Sequence, residues 1–329
     1  MPTSAPVLLV VGDVVTDVVA HQEHALTRGT DTAAAIEVRP GGSGANTAAW
    51  AAHSGAAVRM LGRVGADSAR WHEDELALSG VEPRLAVDPC RPTARVIALV
   101  DPTGERTMVT DRAAGGRLSP EDWDDALLDG VGLVHVSGYT FFTDSGRRLA
   151  QTVLAAASRA DVPVSVDPAS SGFLRGFGVR TFLEATRACS VLLPNEDEAA
   201  LLTTEKDPHA AAVRLSGWYA AAVVKLGARG AMAAADGGLV ARRNAEPPAR
   251  VVDTIGAGDA FAGGFLAARL GGADLAEALD AGCRTGALAV TLCGGRPPGP
   301  ASDRSGGRTH AGRAGPDEPR RGCTSARDG

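Results

Sequence analysis

An α/β protein built on a parallel sheet is what this sequence predicts, and three observations carry that expectation. Apolar strand-like runs alternate with helical stretches from residue 132 onward, the pattern of right-handed crossovers between parallel strands. The composition is rich in Ala, Val, Leu and Gly with only 4 % aromatic residues, which suits helices packed on a sheet better than an aromatic-paired sandwich. Polar or glycine-rich loops follow the C-terminal ends of the apolar runs, where ligands of open α/β sheets collect.

Taken in order, Val7 to Val11 is an unbroken apolar run ending at Gly12-Asp13, the signature of a buried first strand. Val14 to Pro40 holds short alternating pieces around Gly29 and Thr30 that predict strands and turns. Gly41-Gly42-Ser43-Gly44-Ala45-Asn46 then leads into a helical stretch from Thr47 to Ser54, so a glycine loop opens a helix whose free N–H groups suit a polar ligand. Arg95–Val100, the turn Asp101-Pro102-Thr103-Gly104 and Glu105–Thr110 read as a hairpin. Together with the segment before Pro40, that hairpin is expected to form a small sheet apart from the main core.

Strands are expected at Gly132–Ser137, Pro163–Asp167, Ser190–Leu193 and Ala221–Lys225. Helices are expected at Gly146–Arg159, near Thr181–Ala188, at Pro208–Gly217, Asp259–Leu270 and Leu275–Leu292. A hairpin turns at Gly237-Gly238. From Gly294 the composition changes to Gly, Arg, Pro, Ser and Asp, a stretch that cannot bury enough apolar surface to order itself, and Gly299 to Gly329 hold six arginines against four acidic residues. Residues 299–329 are therefore expected to be a low-complexity, disordered tail.

At 329 residues, 44 % hydrophobic and 22 % charged, the chain can bury one large core or one core with a small accessory element. The net charge of −6 argues against a nucleic-acid partner. No run reaches the length of a membrane span and the first residues carry no basic n-region, so no membrane partner and a cytoplasmic location are expected. Five scattered cysteines lack metal spacing, and buried reduced thiols are the expectation.

The strongest chemical signal is Asp253-Thr254-Ile255-Gly256-Ala257-Gly258-Asp259-Ala260-Phe261, a glycine turn running into an apolar helix. N–H groups of Gly256, Ala257 and Gly258 at the positive end of a helix can line an anion hole, and Asp259 beside them can take a hydroxyl proton. Phosphoryl transfer asks for that pair of features. A lone Gly-x-Gly-Asp is more often a helix start with a favourably placed aspartate. The second glycine loop at Gly41 tips the balance toward chemistry.

GGSGANTAAW (Gly41 to Trp50) and DTIGAGDAFAGGF (Asp253 to Phe265) resemble the two signatures of the ribokinase-like, or PfkB-type, carbohydrate kinase family, and the resemblance spans roughly residues 7–298. It implies a kinase domain over 1–298, a Rossmann-type three-layer α/β sandwich with a small β-sheet lid from about 14–40 and 94–112. It implies ATP and Mg2+ as cofactors, a sugar or related alcohol as substrate, and a homodimer as an assembly often built through the lid. Asp259 then acts as general base, with Gly256 to Gly258 around the γ-phosphate.

Further matches follow from the same resemblance. Asn195 and Glu198 resemble its N-x-x-E element for nucleotide and magnesium, although the same spacing is a helix capping box. Lys225, Gly227 and Gly230 resemble its nucleotide-binding turn, although a plain glycine turn reads the same. Asp17, with Gly41, Gly42 and Asn46, matches the acceptor site, and Asp13 is the rival acidic residue. Asp253 and the backbone of Ile255 match a monovalent-cation loop, which places K+ among the implied ions; a solvent-facing aspartate weighs equally. No G-x-x-x-x-G-K-Ser/Thr occurs, so this is no P-loop kinase.

Two departures bear on the substrate. Gly138-Tyr139-Thr140 stands where ribokinases proper carry a glutamate, and Ser43 stands where they carry a lysine. A nucleoside kinase on the same scaffold and a non-catalytic sugar or nucleotide sensor are the alternatives.

Overall fold

The computed structural model describes residues 5–103 and 105–298, so the tail expected from residue 299 lies outside the described residues. The chain begins with β1 (Val7–Val11), β2 (Val15–Gln22), β3 (Ala34–Gly41), α1 (Ser43–His53), β4 (Ala57–Gly65), α2 (Ala69–Leu78) and β5 (Val81–Asp88). Then come β6 (Ala94–Val100), β7 (Arg106–Asp111), β8 (Val131–Ser137), α3 (Asp144–Arg159), β9 (Val164–Asp167), α4 (Ser171–Phe177) and α5 (Val179–Ala185). The last elements are β10 (Val191–Leu192), α6 (Glu196–Thr203), α7 (Pro208–Ser216), β11 (Ala221–Lys225), β12 (Ala231–Ala235), β13 (Gly238–Arg243), α8 (Ala257–Leu270) and α9 (Leu275–Ala289).

The main sheet runs β13-β12-β11-β10-β9-β8-β1-β4-β5 and is parallel from β5 through β11, with β12 and β13 closing it as an antiparallel hairpin. The first strand shows why its sequence is apolar throughout. Leu9 and Val11 join the core on one face with Leu149, Val153 and Phe182, while Leu8 and Val10 join the other with Ala48, Phe265 and Leu279. A strand buried on both faces has no solvent side for a polar residue. The two cores define three layers, a ribokinase-like α/β sandwich.

Order reverses at β1, whose neighbours are β4 on one side and β8 on the other. The crevice outside the carboxyl ends of β1 and β8 is therefore the topological switch point, where open α/β sheets bind ligands. A separate four-stranded sheet, β3-β2-β6-β7, stands over this end. Its strands come from the two segments that the sequence set apart.

Differences from the expected elements have local causes. Ser171–Phe177 forms α4, which was not foreseen, and Gly178 at φ 96° breaks it from α5. Helix α9 ends at Ala289 rather than Leu292. Strand β5 carries Pro83 and pairs only with β4, an edge position where a missing N–H is tolerated. Cys189 and Cys283 are buried as expected, but Cys293 is exposed and its sulfur accepts from Arg39 Nη1 at 2.9 Å. Among the described residues, no helix is long and apolar enough to cross a membrane.

Candidate active site

A cavity of about 540 Å3 opens at the switch point, under the small sheet. Asp259 sits in its wall, three residues into α8. Helices α1 and α8 cross closely because Gly263 faces α1: a Cβ there would stand 2.6 Å from the Cβ of Trp50. That approach brings the start of α1 to Asp259. Ser43 Oγ donates to Asp259 Oδ1 at 2.8 Å and Asn46 Nδ2 donates to Oδ2 at 3.0 Å. Burial pushes the Asp259 carboxyl up to about 7; the bonds from Asn46 and Ser43 work against the rise, and the fields of Asp167 and Asp13 add to it.

The turn before α8 is held from several sides. Gly256 adopts φ 71°, and a Cβ on it would lie 2.6 Å from the Cα of Gly295. Only glycine fits there. Trp50 Nε1 fixes the same C-terminal segment by donating to Gly295 O at 2.9 Å. Gly256 and Gly258 line the cavity, while Ala257 lies between them as the first residue of α8. First-turn N–H groups lack intrahelical acceptors, so this end presents donors and a positive dipole.

Across the cavity, β9 and β11 end in an ion pair between Asp167 and Lys225. Burial works against the Lys225 ammonium, but Asp167 and Glu198 outweigh it and hold its pKa above the ordinary lysine value. The Nζ lies 3.6 Å from the position a Cβ on Gly258 would take, so this cation faces the glycine turn. Asn195 and Glu198 form a reciprocal cap: Asn195 N donates to Glu198 Oε2 at 2.9 Å and Glu198 N to Asn195 Oδ1 at 2.8 Å. Both also line the cavity, so the capping reading and exposure to a ligand hold together. Burial, with the charge of Asp167, pushes the Glu198 carboxyl up.

The two acidic candidates near the first strand separate cleanly. Asp13 Oδ2 accepts from Ser43 N at 2.8 Å, and Oδ1 accepts from Gly44 N at 3.1 Å and Ser137 Oγ at 2.9 Å. It anchors the start of α1. Asp17, on β2, accepts no hydrogen bond from the described residues and lines the cavity against Gly41. Burial and the charge of Asp13 raise its carboxyl to about 6, with Arg296 opposing.

Gly42, Asn46 and Gly227 also line the cavity, but Gly230 does not. A Cβ on Gly230 would lie 2.0 Å from Arg243 O, so its place is the tight turn between β11 and β12. Asp253 is withdrawn as well. Its carboxylate accepts from Ile255 N at 2.9 Å and Gly294 N at 3.0 Å and pairs with Arg106 Nη1 at 3.2 Å.

Sequence reasoning did not single out Asp167, Arg106 or Arg112. Asp167 carried a signal, an aspartate ending an apolar strand as Asp13 nearly does. Arg106 and Arg112 carried none, because their places depend on how the small sheet sits on the large one.

The family model described as pfkB family carbohydrate kinase matches residues 6–301. The chain belongs to this family. Consistent with that, it is 31 % identical over 268 residues to the 2-dehydro-3-deoxygluconokinase of Thermoproteus tenax, covering 79 % of this chain and 82 % of the relative. It is 31 % identical over 258 residues to the ATP-dependent ribose-1-phosphate kinase of Halopiger xanaduensis, covering 78 % and 82 %. The adenosine kinase of Sinorhizobium meliloti shares the fold with a TM-score of 0.82 at 24 % identity, covering 89 % of this chain and 96 % of that one. As a pfkB family member, the protein is an ATP-dependent carbohydrate kinase.

Proposed function

We propose that this kinase transfers the γ-phosphoryl group of ATP to a hydroxyl of a sugar, with Asp259 as general base. The observation that carries the reading is Asp259 itself, a half-buried carboxylate at a helix N-terminus, fixed by Ser43 and Asn46 and raised to about 7. A base poised near working pH is suited to taking a proton. As the acceptor oxygen bonds to the γ-phosphorus, its proton passes to Asp259. The bond from phosphorus to the β,γ-bridging oxygen breaks, and ADP leaves with that electron pair.

Gly256, Ala257 and Gly258 offer N–H donors to the transferring group, where preorganised dipoles act strongly. Lys225, Asn195 and Gly227 line the nucleotide side in this reading. Asp17 is the free carboxylate for acceptor hydroxyls. Gly41 leaves room beside it, since a Cβ there would stand 2.0 Å from Asp17 Oδ2, and Gly42 and Asn46 line the same cavity.

Glu198 and Asp167 are two buried carboxylates at the Lys225 end, and no group of three metal-ligating side chains forms among the described residues. That set suits Mg2+ held by one or two carboxylates, ATP phosphates and water, with Glu198 acting through water. Such an ion would offset phosphate charge. Asp253 and Ile255 do not suit a monovalent cation, because Arg106 already meets the charge of Asp253.

The outer sheet supports the homodimer reading: Val38, Ile97 and Val109 are exposed and lie in one paired row through Val18. Sedimentation velocity of Ile97→Asp against the parent tests it; an unchanged mass would count against a lid contact.

ADP release coupled to NADH oxidation, run over hexoses, pentoses, sugar acids and nucleosides, tests the reaction. Turnover of sugars supports it, and turnover of nucleosides alone would replace it with a nucleoside kinase. ATP binding without turnover on any acceptor would favour a sensor.

A further inference from the structure

Three cations line the cavity: Arg106, Arg112 and Lys225. Arg106 is paired with Asp253 and Lys225 with Asp167. Arg112 makes no ion pair among the described residues.

Arg112 follows β7, where the chain leaves the small sheet. Its guanidinium lies over Phe173, 4.5 Å from the ring centroid, with Tyr139 and Phe142 at 5.9 Å. Stacking uses the flat faces of a guanidinium and leaves its N–H edges free. Nη1 makes one long bond, 3.5 Å to Tyr139 O, and Nη2 is buried with no partner. Beside the same aromatic, Thr140 Oγ1 is also buried, lines the cavity and has no partner.

A buried charged donor left unpaired is costly, so such a group marks the place of a missing acceptor. No carboxylate among the described residues pairs with Arg112. Asp13, whose field reaches Arg112, already takes bonds from Ser43, Gly44 and Ser137. A plain structural arginine, packed on aromatics, would instead turn its edge to water or to a carboxylate.

We infer that Arg112, held on the Tyr139, Phe142 and Phe173 rings and assisted by Thr140, binds a carboxylate on the acceptor, so that the substrate is a sugar acid. This rests on the kinase reading above and narrows its acceptor. One unpaired guanidinium balances one negative charge, which favours a carboxylate over a phosphate dianion. The planar N–H edge also matches the two oxygens of a carboxylate.

The test compares acceptors matched in carbon skeleton: an aldose, its aldonic and 2-keto-3-deoxy acids, and its phosphate ester. Rates come from ADP release and affinities from calorimetry, for the parent, Arg112→Gln and Arg112→Lys, each checked for folding by its melting curve. The parent is expected to prefer an acid over the aldose by about 100-fold in kcat/KM, and Arg112→Gln to erase most of that ratio. Arg112→Lys, with charge but no fork, should fall between them.

A parent that prefers the aldose, or an acid-to-aldose ratio untouched in Arg112→Gln, overturns the inference. So does preference for the phosphate ester. If no acceptor is turned over while an acid still binds the parent and not Arg112→Gln, the carboxylate site stands and the kinase reading falls.

Discussion

Ser43 Oγ donates to Asp259 Oδ1 at 2.8 Å, a bond that ties the first residue of α1 to the third of α8 across 216 positions of sequence. It stabilises the ionised carboxylate, because a hydroxyl donor favours the charged form. Burial raises Asp259 to about 7 against that bond and its partner from Asn46.

Ser43→Ala should therefore move Asp259 further up, by about one pH unit for a bond to a charged group. The acidic limb of the kcat/KM profile shifts to higher pH, and activity at pH 7 falls several-fold while the plateau near pH 9 changes little. An unshifted limb would mean that Ser43 does not tune this group.

Asp17 rises to about 6 on burial, and its ionised form is the better acceptor of sugar hydroxyl hydrogens. Affinity for the sugar should be full above pH 6 and weaken as pH falls through it. Asp17→Asn should raise acceptor KM about 10- to 100-fold, as expected for lost hydrogen bonds to a charged group, and flatten that pH dependence. A change confined to the KM for ATP would move Asp17 out of the acceptor site.

Arg106 joins the small sheet to the turn before α8 through Asp253 and Thr254. With that cation in place, exchanging K+ for tetramethylammonium should alter kcat by less than about twofold. Arg106→Gln leaves the partly buried Asp253 with its two backbone donors but no counter-charge, so the rate should drop about 10-fold and recover partly in K+. Strong K+ activation of the parent enzyme would contradict this account.

The parts legible in the sequence were those fixed by local rules. Val7–Val11 and Ala221–Lys225 are apolar because both faces of the sheet are covered, and the structure returns those two strands with the expected bounds. Gly256 to Asp259 could be read because a glycine turn entering an apolar helix has few other meanings. Asp17 against Asp13 could not be resolved, since only the approach of α1 shows that Asp13 is consumed by Ser43 and Gly44.

Gly230 looked like a ligand residue because a turn glycine and a phosphate-loop glycine have the same spelling. Its place against Arg243 appears only when β13 is docked. The Arg112 stack is hidden for the same reason: its rings come from residues 139, 142 and 173, brought together because the segments that follow the parallel neighbours β8 and β9 leave the sheet side by side.

The central claim is that Asp259 is the base, and Asp259→Asn measures it most directly. Turnover should fall at least ~100-fold while ATP affinity holds within about twofold, since base removal touches the chemical step. Stability supplies an independent sign. The folded pKa of about 7 lies above the ordinary 3.8, so this group's contribution is full below about pH 4 and is lost as pH rises to 7. The neutral variant escapes that loss and should gain on the parent across that window, on the order of 4 kcal/mol at most. Near-parental turnover in a folded Asp259→Asn enzyme would contradict the account.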